Sequence, residues 1–359
     1  MIVLDFILCL LLSSLSHAGD IKQIEQLIDD GWWDDAYAEL TIELKTNPDD
    51  AAVNFLMGKT CFMLQDWENA EDYFERSVEL DDTNSQYHYW LGNSKGARAQ
   101  HGGILKAPGR AKACKREYER AIELDPHNIN ARFGLVQYLM QAPGFAGGNK
   151  DKARIQADSV AYYDTLVGFR AKASIYEVLD EDLTEAEKEF TDAIAFDTTN
   201  MTPYFWYGYF LARHDRLDEA ESLAYRGLAI DSTEKDIYYS LADIFITKER
   251  YENAIAIYEQ VIMLDSTEML AVYQIGKTLE LADSDLNRAE ALFLKYLDSK
   301  LKGYWPDKPA AYLHLAIIYD KQGKYDQAKA ALEKGLALKP RDTEEEMKEL
   351  LKEVKKKLK

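Results

Sequence analysis

The chain has 359 residues, 47% of them apolar and 30% charged, with a formal net charge of −20. That apolar share can bury a large core, but one globular core of this length is uncommon, so several domains or a repeat array are expected. Acid spread along the whole length argues against general nucleic-acid binding, because a phosphate backbone would be repelled.

Residues 6–12 (FILCLLL) form a short apolar run, followed by Ser13, Ser14 and Leu15 and then Ser16, His17 and Ala18. Small residues three and one before the cut suit signal peptidase, so residues 1–18 are expected to be a signal peptide cleaved after Ala18. The expected location is then periplasmic or secreted. The segment before the run holds Asp5 and no Lys or Arg, a departure from the usual leader. The alternative is a buried N-terminal helix, since the run is too short to span a bilayer, and no transmembrane span is expected.

From there on, a column of small residues sets the period: Ala36, Ala70, Cys114, Ala153, Ala186, Ala220, Ala254, Ala289 and Ala328. Most steps lie close to 34 residues. A second column runs upstream through Gly58, Gly92, Ser174, Gly208, Ala242, Gly276 and Ala316. Two small positions on helices joined by a tight turn let the backbones approach, and large residues such as Leu40, Phe74, Tyr258 and Leu332 fill the seam. Pro48, Pro126 and Pro340 mark where second helices stop, and elsewhere Asp231, Ser232 and Thr233, or Asp265, Ser266 and Thr267, end one helix and cap the next. Cys61 and Cys114 fall at or near small-residue positions of different repeats and are expected to be core thiols without a disulfide.

The segments WLGN (from Trp90), EYERAIELDPHN (from Glu117) and YLHLAIIYDKQGKYDQAKAALEKGLALKP (from Tyr312) resemble tetratricopeptide repeats. The resemblance implies an all-α, right-handed superhelical solenoid of about nine helix-turn-helix repeats with a C-terminal capping helix. The expected repeats are 20–50, 51–84, 85–128, 129–166, 167–200, 201–234, 235–268, 269–308 and 309–342, forming a solenoid over 19–342. Residues 343–359 are expected to be the cap, with Met347, Leu350, Leu351, Val354 and Leu358 on one side.

Three insertions break the period: 99–108 (AQHGGILKAP), 141–149 (QAPGFAGGN) and 299–308 (SKLKGYWPDK). Loops joining first to second helix in successive repeats emerge on one edge, so the first two insertions should be neighbours. Around them cluster Lys95, Arg98, Lys106, Arg110, Lys112, Lys115, Arg116 and Arg120. Arg98, Lys106, Arg110, Lys112, Lys115 and Arg116 form a candidate anion-binding edge with glycine amides nearby; the alternative is that these cations offset neighbouring acidic repeats. For Tyr304 and Trp305, in the third insertion, pinning of the loop to the scaffold is favoured over partner contact.

In the family, first helices line a ligand-binding face. The matching slots hold Phe55 and Lys59; Tyr89, Trp90 and Asn93; Phe133 and Gln137; Phe205, Trp206 and Tyr209; Tyr239 and Asp243; Tyr273 and Lys277; and His314. Such aromatics serve equally as binding anchors or as packing on the preceding repeat. The clamp that family members use for a terminal carboxylate is absent, because those slots hold Phe55, Tyr89, Trp90 and Phe133. The six histidines show no metal-ligand spacing, and no catalytic motif is present. The expectation is a non-enzymatic scaffold without cofactor, binding a protein or peptide partner; the alternative is a binder of an anionic glycan, lipid headgroup or small molecule at the basic edge.

Overall fold

The computed structural model describes residues 21–101, 107–340 and 342–359. The expected signal peptide and Lys106 lie outside them. Among the described residues there are nineteen α-helices and no strand. They run as hairpins: α1 (21–29) with α2 (Trp33–Thr46), α3 (Ala51–Met63) with α4 (Trp67–Leu80), and α5 (Ser85–His101) with α6 (Ala107–Leu124). Next come α7 (Ile129–Gln141) with α8 (Lys150–Tyr163) and α9 (Thr165–Ile175) with α10 (Leu183–Phe196). Then follow α11 (Met201–Arg213) with α12 (Leu217–Ile230), α13 (Lys235–Thr247) with α14 (Tyr251–Leu264), and α15 (Met269–Leu281) with α16 (Leu286–Asp298). The last are α17 (Lys308–Lys321) with α18 (Tyr325–Ala337), and a final α19 (Glu344–Lys357). A 3-10 turn at Gly144–Ala146 follows α7, and a π turn at Tyr176–Asp180 extends α9.

Two compact units are formed. The amino-terminal unit ends at Phe196 and includes Lys302–Tyr304; the carboxy-terminal unit comprises Asp197–Leu301 and Trp305–Lys359. Within each unit every helix packs on the next. First helices also touch first helices: α3 on α5, α5 on α7 and α7 on α9 in one unit, α11 on α13 and α15 on α17 in the other.

The small-residue column forms the seam of each hairpin. Ala36, Ala70, Ala153, Ala186, Ala220, Ala254, Ala289 and Ala328 are fully buried, as is nearly all of Cys114. The residue four positions on fills the gap in most repeats: Leu40, Phe74, Tyr258, Phe293 and Leu332 are also fully buried. Between hairpins, the Asp-x-Thr turns have a fixed geometry. Asp81, Asp197, Asp231 and Asp265 each accept the backbone N–H and hydroxyl of the threonine two residues on. Within hairpins the turn needs one left-handed residue, supplied by Gly31 (φ +83°) and Gly323 (φ +73°) but also by Gln65 and Glu249.

The insertions lengthen helices as well as loops. α5 runs through His101 and α6 starts at Ala107, so part of 99–108 is helical, while 141–149 folds around the 3-10 turn. In the third insertion, Gly303 N–H donates to Gly31 O at 2.7 Å and Tyr304 meets Trp33 edge-on at 6.0 Å. Trp305 is buried. Within the amino-terminal unit these contacts hold Gly303 and Tyr304 on the first hairpin. In the carboxy-terminal unit Met347 and Val354 of α19 are fully buried, and Met347 packs where any side chain on Gly335 would stand. Leu358, by contrast, is exposed.

Candidate protein-binding surfaces

Most of the aromatics expected to line a binding face are used for packing. Phe55 is half-buried against Phe74 (5.9 Å) and Tyr87 (4.9 Å). Trp90 stacks on Phe74 at 6.0 Å and meets Phe62 edge-on at 5.5 Å, with Lys59 Nζ 5.7 Å above its ring. Tyr89 lies between Trp90 and Tyr118, and Asn93 accepts the Tyr118 hydroxyl at 2.6 Å. Phe133 is covered by the Arg170 guanidinium at 4.7 Å. In the carboxy-terminal unit Tyr273 is buried among Phe293, Tyr296 and His314, and burial pushes its hydroxyl pKa up. His314 itself stacks on Phe293 and holds Glu280 at 3.0 Å. Tyr239 is half-buried on Tyr258, whose hydroxyl reaches Asp243 at 3.4 Å.

α11 differs. Phe205 is 42% exposed and Tyr209 59% exposed, one turn apart on the same face, and the Arg213 guanidinium lies 5.1 Å from the Tyr209 ring. Trp206 beside them is half-buried. A first helix with two exposed aromatic rings and a cation over one of them has the composition of an interaction hot spot.

Of the six cations assigned to an anion-binding edge, the five described residues differ in their surroundings. Arg98 bonds Glu71 at 2.7 Å and Glu68 at 3.1 Å across the repeat boundary, beside a buried Lys95 held by Glu71 and Glu75. Burial alone would raise the pKa of Glu71, but Lys95 and Arg98 outweigh it and hold the carboxyl below its usual range. The same device recurs twice at the acid that follows the small-column alanine, and Glu280, elsewhere in its repeat, likewise takes His314 and Lys321 of the next. Glu221 takes Lys248 and Arg250 of the next repeat, and Glu290 takes Tyr319 and Lys324. On α6, Lys115 pairs with Glu119 at 3.4 Å. Helical spacing puts Lys112 and Arg116 on the side of α6 opposite Cys114, and both are exposed.

What lies between the two insertions is a cavity of about 550 Å³. It is walled by Gly96 and Ala99 of α5, Ala111 and Cys114 of α6, Gly134 and Gln137 of α7, and by Pro143 and Phe145 of the second insertion. Tyr138 bonds Ala146 O and fixes the insertion to α7. The cavity was not foreseen. Its signal in the sequence is the extra small residues Gly96, Ala99, Ala111 and Gly134, beside the columns that the repeat itself requires.

Residues 23–85, 235–268 and 309–342 each match a tetratricopeptide repeat family. No curated protein matches the chain by sequence. Among solved structures, that of yeast Tom70 is similar with a TM-score of 0.55 and 13% identity, covering 93% of this chain and 87% of that one. Human IFIT1, solved as a dimer with m7Gppp-AAAA, superposes with a TM-score of 0.47 and 16% identity over 92% of this chain and 79% of that one. At this identity the Tom70 likeness is one of fold. Matched tetratricopeptide repeats thus lie in both of the compact units, at residues 23–85, 235–268 and 309–342.

Proposed function

We propose that this protein is a non-enzymatic scaffold that binds protein or peptide segments along the first helices of its repeats, with Phe205 and Tyr209 as anchors. The repeats support binding as the general role. The observation that carries the assignment is the contrast on one slot: Phe55, Tyr89 and Tyr273 pack inward, whereas Phe205 stays exposed, with the exposed Tyr209 one turn on. Aromatics left exposed on a structured helix provide contact area at little entropic cost. The setting we propose, the cell envelope or the secreted space, rests on the leader-like residues 1–18. An anionic glycan or lipid headgroup on the basic edge has less support, because Lys95 and Arg98 already face carboxylates.

Crosslinking in living cells, followed by mass spectrometry, tests both parts. The Phe205→Ala, Tyr209→Ala double variant should lose the partners that the unaltered protein captures. Capture that is unchanged in this variant overturns the site, and recovery only from the cytosol with Met1 intact overturns the export reading.

A further inference from the structure

The walls of the cavity in the amino-terminal unit have an unusual charge for this chain. No Asp or Glu occurs over residues 94–116 or 126–150, in a sequence with 63 acids and 43 Lys and Arg. Those two stretches supply every lining residue but Tyr118. The lining itself carries no charge among the described residues, only apolar groups, three glutamines (Gln100, Gln137 and Gln141) and two tyrosines. Cations stand at its flanks. Arg110 lies three residues after Ala107 and four before Cys114, and it has no ion pair among the described residues. Lys115 lies four after Ala111, and its Cδ is 3.6 Å from where a β-carbon on Gly147 would stand.

We propose that this cavity is a second peptide site, taking one bulky apolar side chain of an extended partner segment whose neighbouring residues are acidic. The inference rests on the protein-binding reading above but not on the α11 anchors. The volume is within the range of small-ligand pockets and holds a large aromatic side chain. Side-chain amides carry both donors and acceptors, which suits the unpaired N–H and C=O of an extended backbone; a helical partner has already satisfied its own. Arg110, without an ion pair among the described residues, and the two acid-free stretches favour negative neighbours over basic ones, while Lys115 is shared with Glu119. An acyl chain gains nothing from three amides.

The test is a titration of the full chain with a fluorescein-labelled peptide in which a single tryptophan lies among acidic residues. Two companions carry alanine for the tryptophan or lysine for the acids. The parent peptide should bind, and each companion should bind at least about tenfold more weakly, a difference near 1.4 kcal/mol. Ala111→Phe fills the cavity from a half-buried helix position, and Gln137→Ala removes an amide without adding volume; both should weaken the parent peptide. Phe205→Ala, Tyr209→Ala protein should bind it as the unaltered protein does, so failure here and failure of the α11 site are read separately. The proposal is overturned if the parent peptide does not bind, if the lysine companion binds equally well, or if both cavity variants bind as tightly as the unaltered protein. Displacement of the peptide by dodecanoate, with all three peptides binding alike, also overturns it and marks a lipid pocket.

Discussion

The ring of Phe74 lies 2.6 Å from the position that a β-carbon on Gly58 would occupy. The same relation holds between Tyr118 and Gly92 at 2.9 Å and between Phe293 and Gly276 at 3.0 Å. Gly208 faces no atom within 4 Å, because the sixth repeat has Ala224 at the position that holds Phe74, Tyr118 and Phe293 in the three repeats just named. Gly58→Ala should therefore destabilise the amino-terminal unit by about 1–3 kcal/mol through overpacking. Gly208→Ala should stabilise the carboxy-terminal unit by about 0.5–1 kcal/mol through helix propensity alone. Chemical denaturation, with each unit's transition followed separately, measures both.

Acid should loosen both units by protonating carboxylates that are held low in the folded chain. The Thr267 hydroxyl and N–H, with Lys235 behind them, hold Asp265 down to about 2; Glu71 is also held low, by Lys95 and Arg98, against burial. A folded pKa below the unfolded value contributes stability that is present above about pH 4 and lost as the pH falls through the folded value. The unfolding midpoint should drop between about pH 4.5 and 2. Asp265→Asn and Glu71→Gln should each flatten that drop in their own unit and lower the midpoint at neutral pH.

Much of the helix plan was legible because a packing column is a local constraint. Ala36 to Ala328 repeat at nearly even steps since each must admit a neighbouring helix. The fate of the aromatics was not legible. Phe55 and Phe205 occupy matching slots, yet one packs on Tyr87 and the other is exposed, and only the neighbouring repeat decides which. The cations were ambiguous for the same reason: Arg98 finds its acids in the preceding hairpin, 27 and 30 residues earlier. The cavity escaped notice because it is made of residues too small to stand out individually.

Truncating two first-helix aromatics that differ in burial should give opposite phenotypes. Trp90→Ala removes a ring packed on Phe62 and Phe74 and should cost the amino-terminal unit about 3 kcal/mol or more. Tyr209→Ala should leave stability within about 0.5 kcal/mol and reduce partner capture. Thermal denaturation paired with crosslinking yield separates the two effects.

The thiols of Cys61 and Cys114 should be inert until the chain opens. Burial raises Cys61 to about 12, helped by Asp66, and raises Cys114 to about 11. Both are free and buried. Iodoacetamide at pH 8 should modify neither in the folded protein and both after denaturation, as read by intact-mass spectrometry.

The carboxylates of Glu71, Glu221 and Glu290 belong to one repeat and their partners to the next. Such a chain is a sentence rather than a stack of interchangeable bricks. The position that holds Lys248 after one first helix holds Leu64, His214 or Gln322 after others, so a transplanted repeat meets the wrong neighbour. Evolution by duplicating a single hairpin here would leave an unmatched charge at each new junction, and lengthening the array requires copying a junction together with the repeats on both of its sides.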